Sequence, residues 1–147
     1  MMAEAQDVQR GFRRAGPHLM RIEHPDVLFL RLHGPVELEH FQMFHQAMGE
    51  IRLPTRLYLL RDARNGGFVT PDARAFISRH EVIDRIEAVI SFGASFQTRT
   101  VMSMMNRAMR TFHAREPDIA FADDEIEARQ WIENHRRQLL CAHEFSA

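Results

Sequence analysis

Two short segments concentrate the side chains that could bind or react. The first runs Arg61-Asp62-Ala63-Arg64-Asn65-Gly66-Gly67 and leads to Thr70-Pro71. An acid between two guanidiniums, followed by paired glycines, suits an anionic ligand or a protein partner. Glycine lets the backbone approach another molecule, and a helix starting at Thr70 turns its positive end toward an anion. The second segment, Gly93-Ala94-Ser95-Phe96-Gln97-Thr98-Arg99, places small residues ahead of hydroxyls and an arginine. Backbone N–H groups and Arg99 can together hold a phosphate or carboxylate there. Each segment also has a plainer reading: Asp62 bonds its own loop while glycines supply positive φ, and Ser95 is a helix N-cap. The candidate ligand- or partner-binding residues are therefore Asp62, Arg64, Asn65, Gly66, Gly67, Thr70, Gly93, Ser95, Thr98 and Arg99.

Other chemistries find little support. Nine histidines raise the question of a metal, yet His40 and His45 are five apart and so on different faces of a helix, unlike an i, i+4 ligand pair. His113 and the pair His80-Glu81 stand alone, and His45, His80 and His135 fall on apolar stripes as core or boundary histidines. Neither GxGxxG nor GxxxxGK[ST] occurs. All 19 basic residues are arginines, which excludes a lysine nucleophile or Schiff base and fits a bias in genomic base composition. The single cysteine, Cys141, has no catalytic context and forms no intramolecular disulfide, which suits a reducing compartment. The expectation is no catalytic residue, no cofactor, no metal and no enzyme. A net charge of −1 gives no field for a phosphate backbone, so nucleic acid is not an expected partner. The opening MMAEAQDVQRGFRRAG lacks the apolar run of a signal peptide, and no stretch approaches the ~20 apolar residues of a membrane span. The expected location is the cytoplasm.

The elements that must position these segments follow from periodicity. Residues 1–17 read as a polar tail or arm, 18–142 as one domain and 143–147 as a C-terminal tail. Strands are expected around 18–22 and 27–32, joined as an antiparallel hairpin through His24-Pro25-Asp26. Leu38, Phe41, His45 and Met48 recur at helical spacing up to Gly49. Leu57–Asp62 reads as a strand buried on both faces, with 63–69 a loop. Thr70-Pro71-Asp72 starts a helix whose inner stripe is Ala73, Phe76, Ile77 and His80, running on to about Ile86. A strand at 88–93 precedes a helix striped by Val101, Met104, Met105, Ala108, Met109 and Phe112. Asp118–Ala122 is a last strand; Asp124 and Glu127 form a capping box ahead of a helix striped by Ala128, Trp131, Ile132, His135 and Leu139. The order β-β-α-β-α-β-α-β-α defines a single α/β domain with a four- or five-stranded mixed sheet flanked by helices. If the strands at 57–62 and 88–93 are parallel, the two binding segments emerge on one edge of the sheet.

With that topology, the segments LYLLRDARNGGFVTPDAR, AVISFGAS and IAFADDEIEARQWIENHR resemble the STAS-like superfamily, in particular its SpoIIAA-like branch, related to SEC14-type lipid-binding folds. The resemblance covers about residues 18–137. It implies a bacterial, non-enzymatic regulatory or ligand-binding module. Classical anti-sigma-factor antagonists of this superfamily carry a phosphorylatable serine directly after the strand-ending aspartate; here Ala63 follows Asp62, so the phospho-switch residue is missing. Two functions remain. The first is a protein-interaction module that docks a protein partner or its own twin. The second is an anionic small-molecule or lipid-binding domain, with an apolar pocket under the third helix lined by its methionines and by Phe92, Phe96 and Phe112, and Arg99 at the mouth.

Overall fold

Apolar residues alternating along four successive β-segments build a sheet that is buried on both sides, and that sheet organises the molecule. The computed structural model describes residues 11–51 and 56–145. Its strands are β1 (Arg13–Ala15), β2 (His18–Glu23), β3 (Val27–Val36), β4 (Leu57–Val69), β5 (Ile86–Phe92) and β6 (Asp118–Ala122). Its helices are α1 (Leu38–Met48), α2 (Pro71–Arg79), α3 (Phe96–Phe112) and α4 (Glu125–Phe145), with a 3-10 turn at Glu81–Arg85. The six strands lie in sequence order, β1-β2-β3-β4-β5-β6. The first two pairings are antiparallel, and β3 to β6 are parallel. The protein is an α/β domain on a mixed sheet, as its alternating pattern requires.

Among the described residues the sheet has six strands, not four or five. The additional strand, Arg13–Ala15, falls inside the stretch read as a tail, where Phe12 is buried against Phe29 with ring centroids 5.7 Å apart. Residues 1–10 of the expected arm, and 146–147 at the other end, lie outside the described residues, and α4 continues to Phe145.

Successive right-handed crossovers in one direction put their helices on one face. In keeping with this, α1, α2 and α3 pack with Leu28, Leu30, Leu57 and Val89, whereas α4 packs with Phe29, Tyr58, Leu60, Ile90 and Phe92. The alternation of side chains along each strand thus assigns one residue to the α1–α3 face and the next to the α4 face.

Four expected stripes need correction. In α1 the buried residues are His40, Phe41, Phe44, Ala47 and Met48, while His45, expected as a core or boundary histidine, is exposed. The buried residues of α3 are Thr98, Val101, Met102, Met105 and Met109, while Met104 and Phe112 are exposed. Helix α2 ends at Arg79 and buries Ala73 and Ser78, leaving Phe76 at the surface. Leu139 of α4 is exposed, whereas Ala128, Ile132 and His135 are buried as expected. In α2 and α3 two adjoining stripes are comparably apolar, and the neighbouring helix decides which one faces the sheet.

Candidate functional site

Strand β4 places two charges side by side and on opposite faces. Asp62 points to the α4 face, only 2% exposed. Its Oδ1 accepts from the Arg64 backbone N–H at 3.2 Å and from Arg64 Nε at 3.0 Å, its Oδ2 accepts from Arg64 Nη2 at 2.8 Å, and Arg31 Nε lies 3.6 Å away. Burial works against ionisation of this carboxyl, but the Arg64 hydrogen bonds and the two guanidinium charges outweigh it and hold the pKa below the usual range. The carboxylate is therefore consumed in bonds to its own strand, two residues on, and Arg64 is a paired cation.

The stretch 63–69 is strand, not loop. It continues the pairing with β3, with His33 opposite Asn65, Gly34 opposite Gly66 and Val36 opposite Val69, across two register shifts. The glycines serve this close approach and not that of a ligand: a Cβ on Gly66 would stand 2.2 Å from the Gly34 nitrogen. Gly67 takes a φ of 106°, open to glycine at little cost.

The two segments meet at the carboxyl edge of the sheet. Gly34, Ala63, Arg64, Gly66, Phe68, Gly93, Ser95, Gln97 and Thr98 line one open groove of about 500 Å³. Gly93 is pressed against Arg64, whose Cγ would lie 2.3 Å from an added Cβ. Five of the ten candidates lie outside this lining: Asp62, Asn65, Gly67, Thr70 and Arg99. Ser95 and Thr98 do line the groove, but they also serve the N-terminus of α3, with Ser95 Oγ accepting from Thr98 N–H at 3.2 Å and donating to Thr98 Oγ1 at 3.1 Å. Arg99 points away: its Nε donates to the Ala94 carbonyl at 3.2 Å and its guanidinium lies 5.4 Å from the Phe121 ring. Thr70 makes no side-chain cap bond and lines a separate hollow with Glu37, Glu39 and Asp72. Asn65 is exposed on the edge of β4, outside the groove lining, and Gly67 is buried on the far side of the strand.

Sequence reasoning missed the residue beside Asp62. Arg61 lies on the α1–α3 face and is 4% exposed. Its Nη1 donates to Ser91 Oγ and to Met102 Sδ, each at 3.1 Å, and its Nη2 donates to the Gly67 carbonyl. No carboxylate pairs with it among the described residues, and burial pulls its pKa down to about 10, leaving it charged at neutral pH. It borders a partly open hollow of about 80 Å³ between the sheet and α1, α2 and α3, whose other lining side chains among the described residues are all apolar, Met48, Met102, Met105 and Met109 among them. An apolar hollow does lie under α3, but its walls are not those expected. Phe92 is on the opposite face, Phe96 (85% exposed) and Phe112 lie at the surface, and Arg61 stands where Arg99 was expected. The signal was legible: period two from Leu57 and Leu59 carries Arg61 onto the same buried face.

Two histidine clusters complete the polar interior. His18 Nδ1 accepts from the His33 N–H at 3.0 Å, so its Nε2 is the donor, shared between the Pro35 carbonyl at 3.1 Å and His40 Nδ1 at 3.2 Å. Burial, then the neighbouring His40, lowers the His18 pKa to about 4. His40 Nδ1 also accepts from Glu37 N–H at 3.0 Å, and Glu37, Glu39 and His40 bring ligating atoms within 4.8 Å of one another at the start of α1. On the other face, Tyr58 Oη lies 2.8 Å from His135 Nδ1, and His135 Nε2 lies 2.7 Å from Asp118. The phenol sits inside this chain with its pKa pushed up to about 12, by burial first and then by the charges of Glu87 and Asp26.

Comparison with family models, with curated proteins and with solved structures finds no match for this chain. Among the described residues no helix is long and apolar enough to cross a membrane.

Proposed function

We propose that this chain is a non-enzymatic binding module of the STAS-like, SpoIIAA-like type, working in the cytoplasm, whose ligand is a small apolar or amphipathic molecule held between the sheet and α1–α3. The observation that carries this reading is the apolar hollow with, among the described residues, one charged wall residue, Arg61. A packed interior has few voids larger than a water molecule, and an apolar hollow of this kind is a ready receptor for an apolar guest. Four methionines in the wall can re-pack around guests of different shape. The test is native mass spectrometry of freshly purified protein, followed by titration of apolar probes into protein carrying 13C-methyl methionine. A retained ligand, or saturable shifts at the cavity methionines, supports the reading. A bare mass together with methionine signals that no probe moves would overturn it.

A second reading rests on the groove at the carboxyl edge, where Arg64, Gly93 and the first turn of α3 meet. There the same module docks a protein partner or a second copy of itself. Light scattering with size exclusion reads self-association directly. Charge reversal at Arg64 that leaves an identified complex intact counts against it.

A further inference from the structure

We infer that the guest of the α1–α3 cavity carries an anionic group, a carboxylate on a short apolar tail, and that Arg61 is its anchor. The inference rests on the cavity reading above and names the chemistry of the ligand. A guanidinium taken out of water costs several kcal/mol unless a counter-charge and full hydrogen bonding compensate. Arg61 has neither. Its acceptors are a hydroxyl, a thioether and one carbonyl, all neutral. Of its five N–H groups, Nε and the second hydrogen of Nη2 have no acceptor among the described residues.

Its structural service does not explain its type. Holding the Gly67 carbonyl needs one donor, and a neutral side chain supplies that without burying a charge. Every buried carboxylate nearby is already committed: Asp62 faces the other side of the sheet with Arg64 and Arg31. What matches a planar guanidinium with spare donors is a planar carboxylate, which accepts two parallel N–H bonds.

Size limits the tail. The space of about 80 Å³ is roughly half that of an engineered apolar cavity that takes benzene, so only a few carbons fit the present packing. Longer chains require movement of the methionines. Met105 offers the route, since it lines both the cavity and an outer groove between α2 and α3 flanked by Arg74 and Arg79. Those two arginines place positive charge at the entrance, which favours the approach of an anion.

The experiment titrates straight-chain carboxylates from butanoate to octanoate, and the matching primary alcohols, into 13C-methyl-methionine protein at neutral pH. The wild type is expected to bind each carboxylate at least about tenfold more tightly than its alcohol, because hydrogen bonds to charged groups carry the difference. Arg61→Met is expected to erase that preference, so that each carboxylate binds no more tightly than its alcohol. If the wild type binds alcohols as well as carboxylates, the anchor role of Arg61 falls while the cavity reading stands. If neither series moves the cavity methionines, the cavity reading itself falls. The wild-type comparison decides between these outcomes even where the variant does not fold.

Discussion

The two faces of the sheet solve the problem of buried polar groups in opposite ways. On the α4 face each charge has its complement. Asp62 is held by Arg64 and Arg31, Glu23 by Arg21 and Arg129, and Asp26 by Arg136, while Tyr58, His135 and Asp118 form a continuous hydrogen-bonded chain. The α1–α3 face carries one buried guanidinium with neutral acceptors only, beside empty space and flexible thioethers. A face whose charges are paired with opposite charges is built for stability. The other, which tolerates an uncompensated charge beside a void, gives up stability that a tight apolar core would have supplied. Arg61 and Asp62 are chain neighbours, so this contrast is not one of local sequence. It arises from the strand's alternation of faces.

Acid provides the largest expected break in the comparison, and it acts first on the α1–α3 side. His18 packs against His40 and Phe44 of α1 and has no acceptor for a second proton, because Nδ1 already accepts from His33. The unfolded chain takes up that proton near pH 6.5 and the folded protein only near 4. Stability from this group is therefore complete above 6.5 and falls as pH drops through the window, by about 3 kcal/mol. Urea midpoints measured across the window should show the loss. In His18→Gln the slope should shrink to what His80, also lowered by burial and by His45, contributes.

Asp62→Asn tests the α4 face. The depressed pKa means that the carboxylate stabilises the fold above the ordinary Asp range and ceases to do so as pH falls through its folded value. Arg64 is mostly exposed and rehydrates once released, so the expected loss at neutral pH is about 2 kcal/mol, below that of a fully buried pair. The gap between variant and wild type should close in strong acid, where both carry a neutral side chain. A constant gap down to that pH would mean that the charge is not what Asp62 contributes.

Tyr58→Phe removes one hydroxyl from the same face and should cost about 1 kcal/mol, the loss of a buried hydrogen bond to His135. The wild type offers an independent reading. Its single tyrosine should ionise near 12, not near 10, when tyrosinate absorbance is followed with alkali. The unfolded chain loses that proton first, so stability declines as pH rises above 10. Ionisation at the ordinary value would place the phenol in water and contradict the hydrogen-bonded chain.

What the sequence disclosed depended on whether the signal was local. The hairpin, the Ser95 cap and the acidic start of α4 follow from residues within a few positions of one another, and the structure has each of them. The parallel strands followed instead from the alternation of strands with helices along the chain. The continuation of β4 through Gly66-Gly67 did not show, because it exists only by pairing with Gly34 and Val36, about thirty residues away. Glycines that read as a loop are there to let two backbones touch. The inner stripe of α3 was misplaced for a similar reason: both candidate stripes carry methionines, and packing against α2 and the sheet leaves Met104 and Phe112 outside, along a groove with α2. Of the candidate site, the meeting of Arg64 with Gly93 and Ser95 was readable from parallel strand order. The roles of Arg99 and Thr70 were not, since side-chain direction within a first helical turn is set by packing.

The smallest expected effect is the most telling. Arg61→Met removes the donors to the Gly67 carbonyl and Ser91 Oγ, and leaving buried acceptors unpaired costs about 1–3 kcal/mol each. Against this, the substitution relieves the desolvation of an isolated guanidinium, a penalty of several kcal/mol, and adds a flexible apolar side chain beside the cavity. Replacement of a buried charge by a well-packed apolar residue is often neutral or stabilising. The opposing contributions nearly cancel, so the urea midpoint of ligand-free Arg61→Met should lie within about 1 kcal/mol of wild type, in contrast to the loss at Asp62 one residue away. A loss as large as that of Asp62→Asn would make Arg61 a structural strut for the Gly67 bend, and the contrast between the two faces would disappear. Near-neutral stability in the ligand-free protein would leave the Arg61 charge without a folding role, so that its cost in burial is offset only by something it binds.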